Sequence, residues 1–251
     1  MRIKKKISVV KKLLLNYSYY TARPKYINPI WLLRKYYEYL AKKNFMKIDN
    51  GDLYNLVNQL LIKSKSTGCE YGDYYALYKS LKETNANSIL ELGSGISTCI
   101  IAYVLMKKEE STSKKGEVVT MEESEFYYKN FLEIIPDYLK QYITPIYSPR
   151  KTSHFSGILG CYYEEIPRRE YGYDYVFIDA PTTYYPEDKE KCFDADLINL
   201  INENKLDNPF IILDQRISTL WALNELIPEL NLKYNPFKKH STSILQTDIH
   251  S

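Results

Sequence analysis

Ser88-Ile-Leu-Glu-Leu-Gly93-Ser-Gly95-Ile-Ser-Thr98 is the stretch of this 251-residue chain that decides the fold. An apolar run ends at Glu91 and Leu92, glycines follow at positions 93 and 95, and residues 99–106 continue as an apolar, helix-like segment. Glycine lets the backbone turn sharply and lets a ligand approach the main chain. The stretch therefore predicts a strand, a tight turn and a helix start. The turn either binds a ligand or only packs the helix against the strand.

The residues around the two glycines restrict the ligand. A dinucleotide-binding turn has the form G-x-G-x-x-G, with pyrophosphate at the helix N-terminus, but Thr98 occupies the third glycine position here. Glu91 would repel a pyrophosphate and would suit a ligand that carries an ammonium group. No Lys follows Gly95, which excludes a P-loop.

The pattern E-x-G-x-G formed by Glu91, Gly93 and Gly95 resembles the first motif of the class I, Rossmann-like S-adenosylmethionine-dependent methyltransferases. The resemblance extends over residues 70–250, because acids also end the predicted second and fourth strands. In that family the turn holds the amino-acid end of the cofactor. The resemblance thus implies a cofactor site that includes Glu91, Gly93, Ser94, Gly95, Ser97 and Thr98.

Strands and helices alternate along the rest of the chain. Apolar runs predict strands at 88–92, 117–122, 143–147, 173–179, 209–214, near 230–234 and at 241–246. Between these strands we expect a polar loop over 107–116, a hairpin in the aromatic residues 155–163 and a helix at about 188–202. Such alternation is typical of a doubly wound α/β fold with a mainly parallel sheet, and the family resemblance implies seven strands with an antiparallel last strand. We expect a basic helical extension in residues 1–66 and the Rossmann-like methyltransferase domain in residues 67–251.

Acids end several of the predicted strands, at Glu91, Glu122, Asp179 and Asp214. In open parallel sheets ligands bind at the carboxyl ends of the strands, so we expect these acids to share one rim. Such a rim suits a cationic or polyhydroxyl ligand, or a metal. A carboxylate at Glu122 can accept both hydroxyls of a ribose, which is the role that the resemblance implies. Glu123 is the competing candidate, and strand register favours Glu122.

Asp179 is expected beside the transferable methyl group, as the resemblance implies, either binding the cofactor or acting as a catalytic base. With Asp214 and Gln215 it resembles the metal set of catechol-type O-methyltransferases, which would hold Mg²⁺ through oxygen ligands. Gln215 departs from that set, because the family has Asn there. Arg216 offers the alternative of an ion pair with Asp214 or Asp179, or of binding an acidic substrate together with Asp214. Mg²⁺ is therefore not favoured.

Two histidines are further candidates. His240 precedes the last predicted strand and could act as a general base with Asp179 as the other catalytic residue. His154 lies in residues 148–172, where the family often builds substrate contacts, and is a candidate substrate-binding residue. Either could instead be an ordinary surface or packing residue. The Tyr-rich residues 71–75 could close over the cofactor or simply start a helix.

Charge is divided unevenly along the chain. Residues 1–50 contain 13 Lys or Arg and 2 Asp or Glu, whereas the remaining residues contain 21 basic and 29 acidic ones. Apolar spacing predicts helices in residues 1–20 and 30–45. These helices could meet an anionic membrane surface, form a homodimer contact or cap the sheet. No nucleic-acid recognition motif is present, so nucleic acid is not an expected partner.

The function expected from these features is S-adenosylmethionine-dependent methyl transfer to a small-molecule or sugar-like acceptor, with oxygen as the expected acceptor atom. The alternatives are aminopropyl transfer, a non-catalytic binding module, or a polyanion-binding protein that works through residues 1–50. The cysteines, at positions 69, 99, 161 and 192, are scattered and form no C-x-x-C pair. They are typical of free thiols in a reducing compartment, so we expect a cytoplasmic protein, with peripheral membrane contact as an option.

Overall fold

The computed structural model describes residues 29–65, 70–180, 192–235 and 240–245. Its α-helices are α1 (Pro29–Phe45), α2 (Asp52–Lys63), α3 (Tyr71–Thr84), α4 (Ile96–Thr112), α5 (Glu125–Ile134), α6 (Asp196–Asn202) and α7 (Ile217–Leu226). Its strands are β1 (Ser88–Leu92), β2 (Glu117–Glu122), β3 (Ile143–Tyr147), β4 (Arg150–Phe155), β5 (Ile158–Tyr163), β6 (Tyr173–Ile178), β7 (Phe193–Asp194), β8 (Leu206–Asp214), β9 (Lys233–Asn235) and β10 (His240–Ile244). Short 3₁₀ helices lie at Ile48–Gly51, Asp137–Tyr142 and Pro228–Leu230.

The main sheet has seven strands in the order β3-β2-β1-β6-β8-β10-β9. The strands β3, β2, β1, β6 and β8 are mutually parallel, and β10 runs antiparallel to both of its neighbours. This arrangement confirms the predicted doubly wound, mainly parallel sheet with an antiparallel last strand. From β1 the strands β2 and β3 extend the sheet to one edge, and from β6 the later strands extend it to the other edge. Open α/β sheets bind their ligands at such a switch in strand order, which lies here between β1 and β6.

Both faces of the sheet are buried, because successive residues of each strand point to opposite sides. Ile89 belongs to the apolar cluster formed with α1 to α5, whereas Leu90 and Leu92 belong to the cluster formed with α6 and α7. This two-sided burial explains why residues 89–92 of β1 do not alternate between apolar and polar. Glu91 is the polar exception among them.

A second, smaller sheet has the order β4-β5-β7. The sequence predicted a hairpin in residues 155–163, and the structure has one that begins earlier, at Arg150. Its turn passes through Ser156 and Gly157, both with positive φ. β7 pairs with β5 in parallel, which brings Asp194 next to Cys161. Cys99, Cys161 and Cys192 form no disulfide among the described residues.

The predicted helix at 30–45 is confirmed as α1, whereas the predicted helix at 1–20 and the proposed boundary at residues 66 and 67 lie outside the described residues. α2 was not predicted as a separate helix, although it falls within the helical extension expected over residues 1–66. It supplies Leu53, Leu56 and Val57 to the same core cluster that contains Ile100 of α4. None of the helices in the described part of the chain is long and apolar enough to cross a membrane.

Two predicted boundaries were wrong. The sequence predicted a polar loop over 107–116, but α4 continues to Thr112, supported by the i,i+3 pair of Lys107 and Glu110 at 3.0 Å. A helix was predicted over 188–202, but the described helix begins at Asp196. Phe193 and Asp194 are held instead in β7 by pairing with β5.

Candidate functional site

The carboxyl ends of the central strands form one row across the sheet. Leu92 of β1 is in register with Met121 of β2 and with Ile178 of β6, and Ile178 is in register with Leu213 of β8. The next residue on each strand therefore lies at one level, which places side by side Glu122, Gly93, Asp179 and Asp214. Three of the four predicted acids thus share the expected rim.

This row opens into a cavity of about 470 Å³, a size typical of small-molecule sites. The predicted site residues that line it are Gly93, Ser94, Gly95, Ser97, Glu122, Asp179, Asp214 and Arg216. Its other wall comes from Asp73, Tyr74 and Leu77 of α3, together with Tyr127 at the start of α5. Residues 71–75 were expected to be able to close over the cofactor. Tyr127 was not predicted, and the sequence indicates it only through its position shortly after Glu122.

Gly93 occupies a position that requires glycine. Its φ is +113°, and an added Cβ would lie 3.0 Å from Ala180 Cβ and 3.2 Å from Ala180 N. The Ala180 N–H donates to the Leu92 carbonyl at 2.6 Å, so the two strand ends are tied together at this point. The backbone of the turn consequently forms part of the cavity wall without an intervening side chain.

Glu91 and Thr98 lie beneath the turn and do not line the cavity. Both are 0% exposed. The Thr98 hydroxyl donates to Glu91 Oε2 at 2.5 Å and accepts a hydrogen bond from the Gly95 N–H at 3.1 Å. Burial raises the pKa of Glu91 to about 8, although hydrogen bonds from Ser97 and Thr98 act in the opposite direction. Thr98 takes the place of a third glycine because its hydroxyl braces the start of α4.

Glu122 ends β2 with its carboxylate held towards the turn. Its Oε2 accepts hydrogen bonds from the Ser94 hydroxyl at 2.7 Å and the Ser94 N–H at 3.3 Å, and its Oε1 accepts from the Ser124 N–H at 2.9 Å. Burial raises the pKa of Glu122 above its ordinary value, although these hydrogen bonds act in the opposite direction. A carboxylate has about four acceptor positions, so Glu122 can still accept a ligand hydroxyl. Glu123 also lines the cavity, but its carboxylate pairs with Arg150 at 3.5 Å.

Asp179 and Asp214 are neighbours in the row, because they follow the paired ends of β6 and β8. The Asp214 side chain is close enough to act on the Asp179 carboxyl group, and it lowers the pKa of Asp179. Asp179 is open to the cavity. The protein atoms around it nevertheless remove enough water to raise its pKa, against the opposing effects of Arg216 and of Asp214.

Arg216 forms an ion pair with an acid that the sequence analysis did not suggest. Its Nη1 pairs with Asp194 Oδ2 at 3.1 Å, and its Nη2 donates to the Asp179 carbonyl oxygen. Asp194 is 1% exposed and also accepts from the Thr219 hydroxyl at 2.9 Å. The guanidinium therefore brings a fixed positive charge close to Asp179 and Asp214, and Asp194 neutralises part of it.

This charge arrangement does not fit a divalent cation. The described residues contain no group of three His, Cys, Asp or Glu side chains that could hold a metal. The Arg216 guanidinium already faces the two carboxyl groups that Mg²⁺ would need. Gln215 adopts a left-handed backbone conformation with φ of +44° and does not line the cavity. A magnesium ion at Asp179, Asp214 and Gln215 would thus be opposed by a nearby cation.

The two histidine candidates lie in different places. His240 starts β10 in register with Asp214 and is 8% exposed, so it adjoins the row without lining the cavity. His154 is exposed on β4, paired with Leu159 of the hairpin, and does not line the cavity either. The structure thus brings His240 close to the acids and leaves His154 outside the site.

Comparison with known proteins shows the fold. No family model matches the chain, and no curated protein sequence matches it. The chain is similar in structure to a Podospora anserina methyltransferase bound to S-adenosylhomocysteine, with a TM-score of 0.53 and 14% identity over 78% of this chain and 88% of that one. It is also similar to a Bacillus cereus O-methyltransferase in complex with S-adenosylhomocysteine, with a TM-score of 0.50 and 16% identity over 82% and 96% of the two chains. The chain therefore has the Rossmann-like class I methyltransferase fold.

Proposed function

We propose that the protein transfers a methyl group from S-adenosylmethionine to a hydroxyl oxygen of a small-molecule or sugar-like acceptor. The observation that carries this proposal is the row at the strand ends, in which Glu122, the Gly93 turn and Asp179 line one cavity of about 470 Å³. A plain packing turn needs no acid at the same level on each neighbouring strand. Two solved structures with this fold contain S-adenosylhomocysteine, the product that S-adenosylmethionine becomes after methyl transfer. They independently support S-adenosylmethionine as the cofactor.

Each part of the cavity suits one part of the cofactor. Glu122 is positioned to accept the ribose hydroxyls, in place of or alongside the Ser94 hydroxyl that it now binds. The backbone of the turn and the Ser97 side chain suit the amino-acid end. Glu91 acts from beneath, by holding Thr98 and through it the Gly95 N–H.

The bound cofactor supplies an electrophilic methyl group on a positively charged sulfur. The residues of the chain place the acceptor oxygen in line with it and exclude water. Asp179 is the catalytic base in this proposal, because it is open to the cavity and its raised pKa suits proton removal from a hydroxyl. Asp214 lies beside Asp179 on the neighbouring strand, and Arg216 fixes the Asp179 main chain through its carbonyl. His240 adjoins Asp214 in register, where it can take up the proton that Asp179 removes.

Transfer of an isotope-labelled methyl group tests the reaction itself. We expect the wild-type protein to methylate members of a panel of phenols, catechols and sugars, and the Asp179→Asn variant to keep cofactor affinity while losing about 100-fold or more in turnover. Decarboxylated S-adenosylmethionine serves as the competing ligand. Tighter binding of that compound, with no methylated product from S-adenosylmethionine, would instead support aminopropyl transfer.

Substitution of the two adjacent acids tests the cofactor site. Glu122→Gln removes the charge that accepts the ribose, so we expect its dissociation constant for S-adenosylhomocysteine to rise about tenfold or more. Glu123→Gln is the matched control, because Glu123 is occupied by Arg150. A larger loss in the Glu123 variant than in the Glu122 variant would reverse the assignment.

A further inference from the structure

Helix α1 has one buried side and one apolar side that faces outward. Arg34, Ala41 and Phe45 are at most 8% exposed and mark the side that packs on the protein. The opposite side carries large apolar residues that are 48–62% exposed, at Leu32, Leu33, Tyr36 and Tyr39. Their spacing places them on one face of the helix, along which Lys43 follows one turn after Tyr39. We call the residues Leu32, Leu33, Lys35, Tyr36, Tyr39 and Lys43 the α1 face.

The charges on and beside the α1 face are basic. Lys35 and Lys43 are exposed within it, and Lys42 and Lys47 are exposed beside it. Glu38, the acid of this helix, is turned away, because its carboxylate accepts hydrogen bonds from the N–H groups of Tyr71 and Gly72. The residues that precede α1, 1–28, contain eight Lys or Arg and no Asp or Glu. Any partner of this region must therefore tolerate or complement a high positive charge.

We propose that the α1 face docks on the surface of a lipid bilayer that contains anionic lipids. Leu and Tyr side chains on one helix face suit the boundary between headgroups and acyl chains, and lysines that flank them suit the lipid phosphates. The basic residues 1–28 add attraction to the same negative surface. The protein is then peripheral, held by one helix face with its cavity still formed by the rest of the fold.

Two other occupants fit the face less well. A second copy of the chain in a two-fold dimer would place Lys35 and Lys43 against the same lysines of its partner, which is unfavourable. A nucleic acid would satisfy the lysines but would leave Leu32 and Leu33 without an apolar surface to bury. A bilayer accommodates both the charge and the apolar side chains.

Vesicle co-sedimentation of the full chain tests the docking. The vesicles consist of phosphatidylcholine alone or of phosphatidylcholine with phosphatidylglycerol, each at low and high salt. We expect binding only to the vesicles with phosphatidylglycerol, and a decrease at high salt. The double variant Leu33→Ser with Tyr36→Ser, and separately Lys35→Glu with Lys43→Glu, should each reduce the bound fraction about tenfold.

The matched control removes exposed apolar side chains elsewhere. Ile62 is 85% exposed and Tyr171 is 77% exposed, so Ile62→Ser with Tyr171→Ser should leave vesicle binding unchanged. Thermal melting of every variant verifies that it is folded. The proposal is overturned if the wild-type chain binds no vesicles or binds neutral ones equally, or if the control loses as much binding as the α1 variants. Normal vesicle binding by the α1 variants would also overturn it. Light scattering that shows these variants dissociating a dimer would indicate a second copy of the chain as the partner. Binding of the wild-type chain to heparin but to no vesicle would indicate a polyanion.

Discussion

Gly93 is the residue on which the geometry of the site depends most. Its φ of +113° and the position of Ala180, whose Cβ would lie 3.0 Å from an added methyl group, leave no room for a side chain. Gly93→Ala should therefore cost about 1–3 kcal/mol in the free energy of unfolding and weaken the binding of S-adenosylhomocysteine by about tenfold or more. Chemical denaturation and calorimetric titration measure the two effects.

Gly157 provides the control for Gly93. It also has a positive φ, of +85°, but nothing lies within 4 Å of its added Cβ, and it sits in the turn between β4 and β5. Gly157→Ala should destabilise the fold through backbone strain alone and should leave ligand affinity unchanged. Equal losses of affinity in the two variants would show that the Gly93 turn has no special part in binding.

Glu91 makes stability depend on pH. Its pKa is raised from its ordinary value to about 8 by burial, so the folded state binds more protons than the unfolded state between those two values. The free energy of unfolding should consequently fall as pH rises from about 5 to about 8, by a few kcal/mol from this residue. Glu91→Gln keeps an acceptor for Thr98 and removes the titration, so the variant should gain stability relative to the wild type as pH rises.

Glu133, which is exposed on α5, offers the comparison for Glu91. Glu133→Gln removes one exposed carboxylate in the same way and is the matched control for the loss of an acidic side chain. Asp194 and Asp196 are also buried with raised pKa values, and they keep part of the slope in every variant. If the Glu91→Gln and wild-type curves are parallel, Glu91 is already ionised in the folded protein and the account of the turn is wrong.

At the scale of single elements, α3 takes its N-terminal cap from another helix. Glu70, at the N-cap position, makes no side-chain capping bond, and Glu38 of α1 accepts from the N–H groups of Tyr71 and Gly72 at 2.7 and 2.6 Å. Glu38→Ala should cost about 1 kcal/mol in the free energy of unfolding. It should also weaken ligand binding several-fold, because the first turn of α3 carries Asp73 and Tyr74 into the cavity.

Glu83 lies on the same helix α3 and pairs with Lys79 at 3.6 Å, with its side chain 67% exposed. Glu83→Ala should change stability by less than about 0.5 kcal/mol and leave affinity unchanged. The role of Glu38 would be refuted by a melting temperature and an affinity that match those of the Glu83 variant.

The sequence predicted the strands of the main sheet well because each combines a short apolar run with an acid or a turn at its end. It predicted the row of acids incompletely. Glu91 precedes Gly93 by two positions, whereas strand pairing places Glu122, Asp179 and Asp214 level with Gly93, so Glu91 lies below the rim. This offset depends on the register between strands, which no local pattern specifies.

Side-chain contacts between elements that are far apart in the chain could not be predicted from local sequence patterns. Arg216 was expected to pair with Asp214 or Asp179, whereas its ion pair with Asp194 depends on the pairing of β7 with β5. The cap of α3 by Glu38 joins residues on different helices in the same way. Such partners are set by packing, and the residues that make them carry no periodic or motif signal of their own.

At the scale of the whole molecule, one fold presents two separate surfaces. The cavity lies at the carboxyl edge of the sheet, and the α1 face lies on the outer side of a helix whose inner side supports α3. In the proposed function the acidic rim attracts a positively charged sulfonium ligand, and in the proposed docking the basic residues 1–50 attract an anionic surface. The formal net charge of only +3 is the sum of these two regions of opposite charge.

Calorimetric titration of the full chain with S-adenosylhomocysteine is the decisive experiment for the cofactor site. We expect saturable binding of one ligand per chain, retained in Gly157→Ala and lost or weakened about tenfold or more in Gly93→Ala and Glu122→Gln. The absence of binding to a folded wild-type chain, under conditions in which a known methyltransferase binds normally, would contradict it. Equal affinity in all of these variants would contradict the assignment of the cavity as the site.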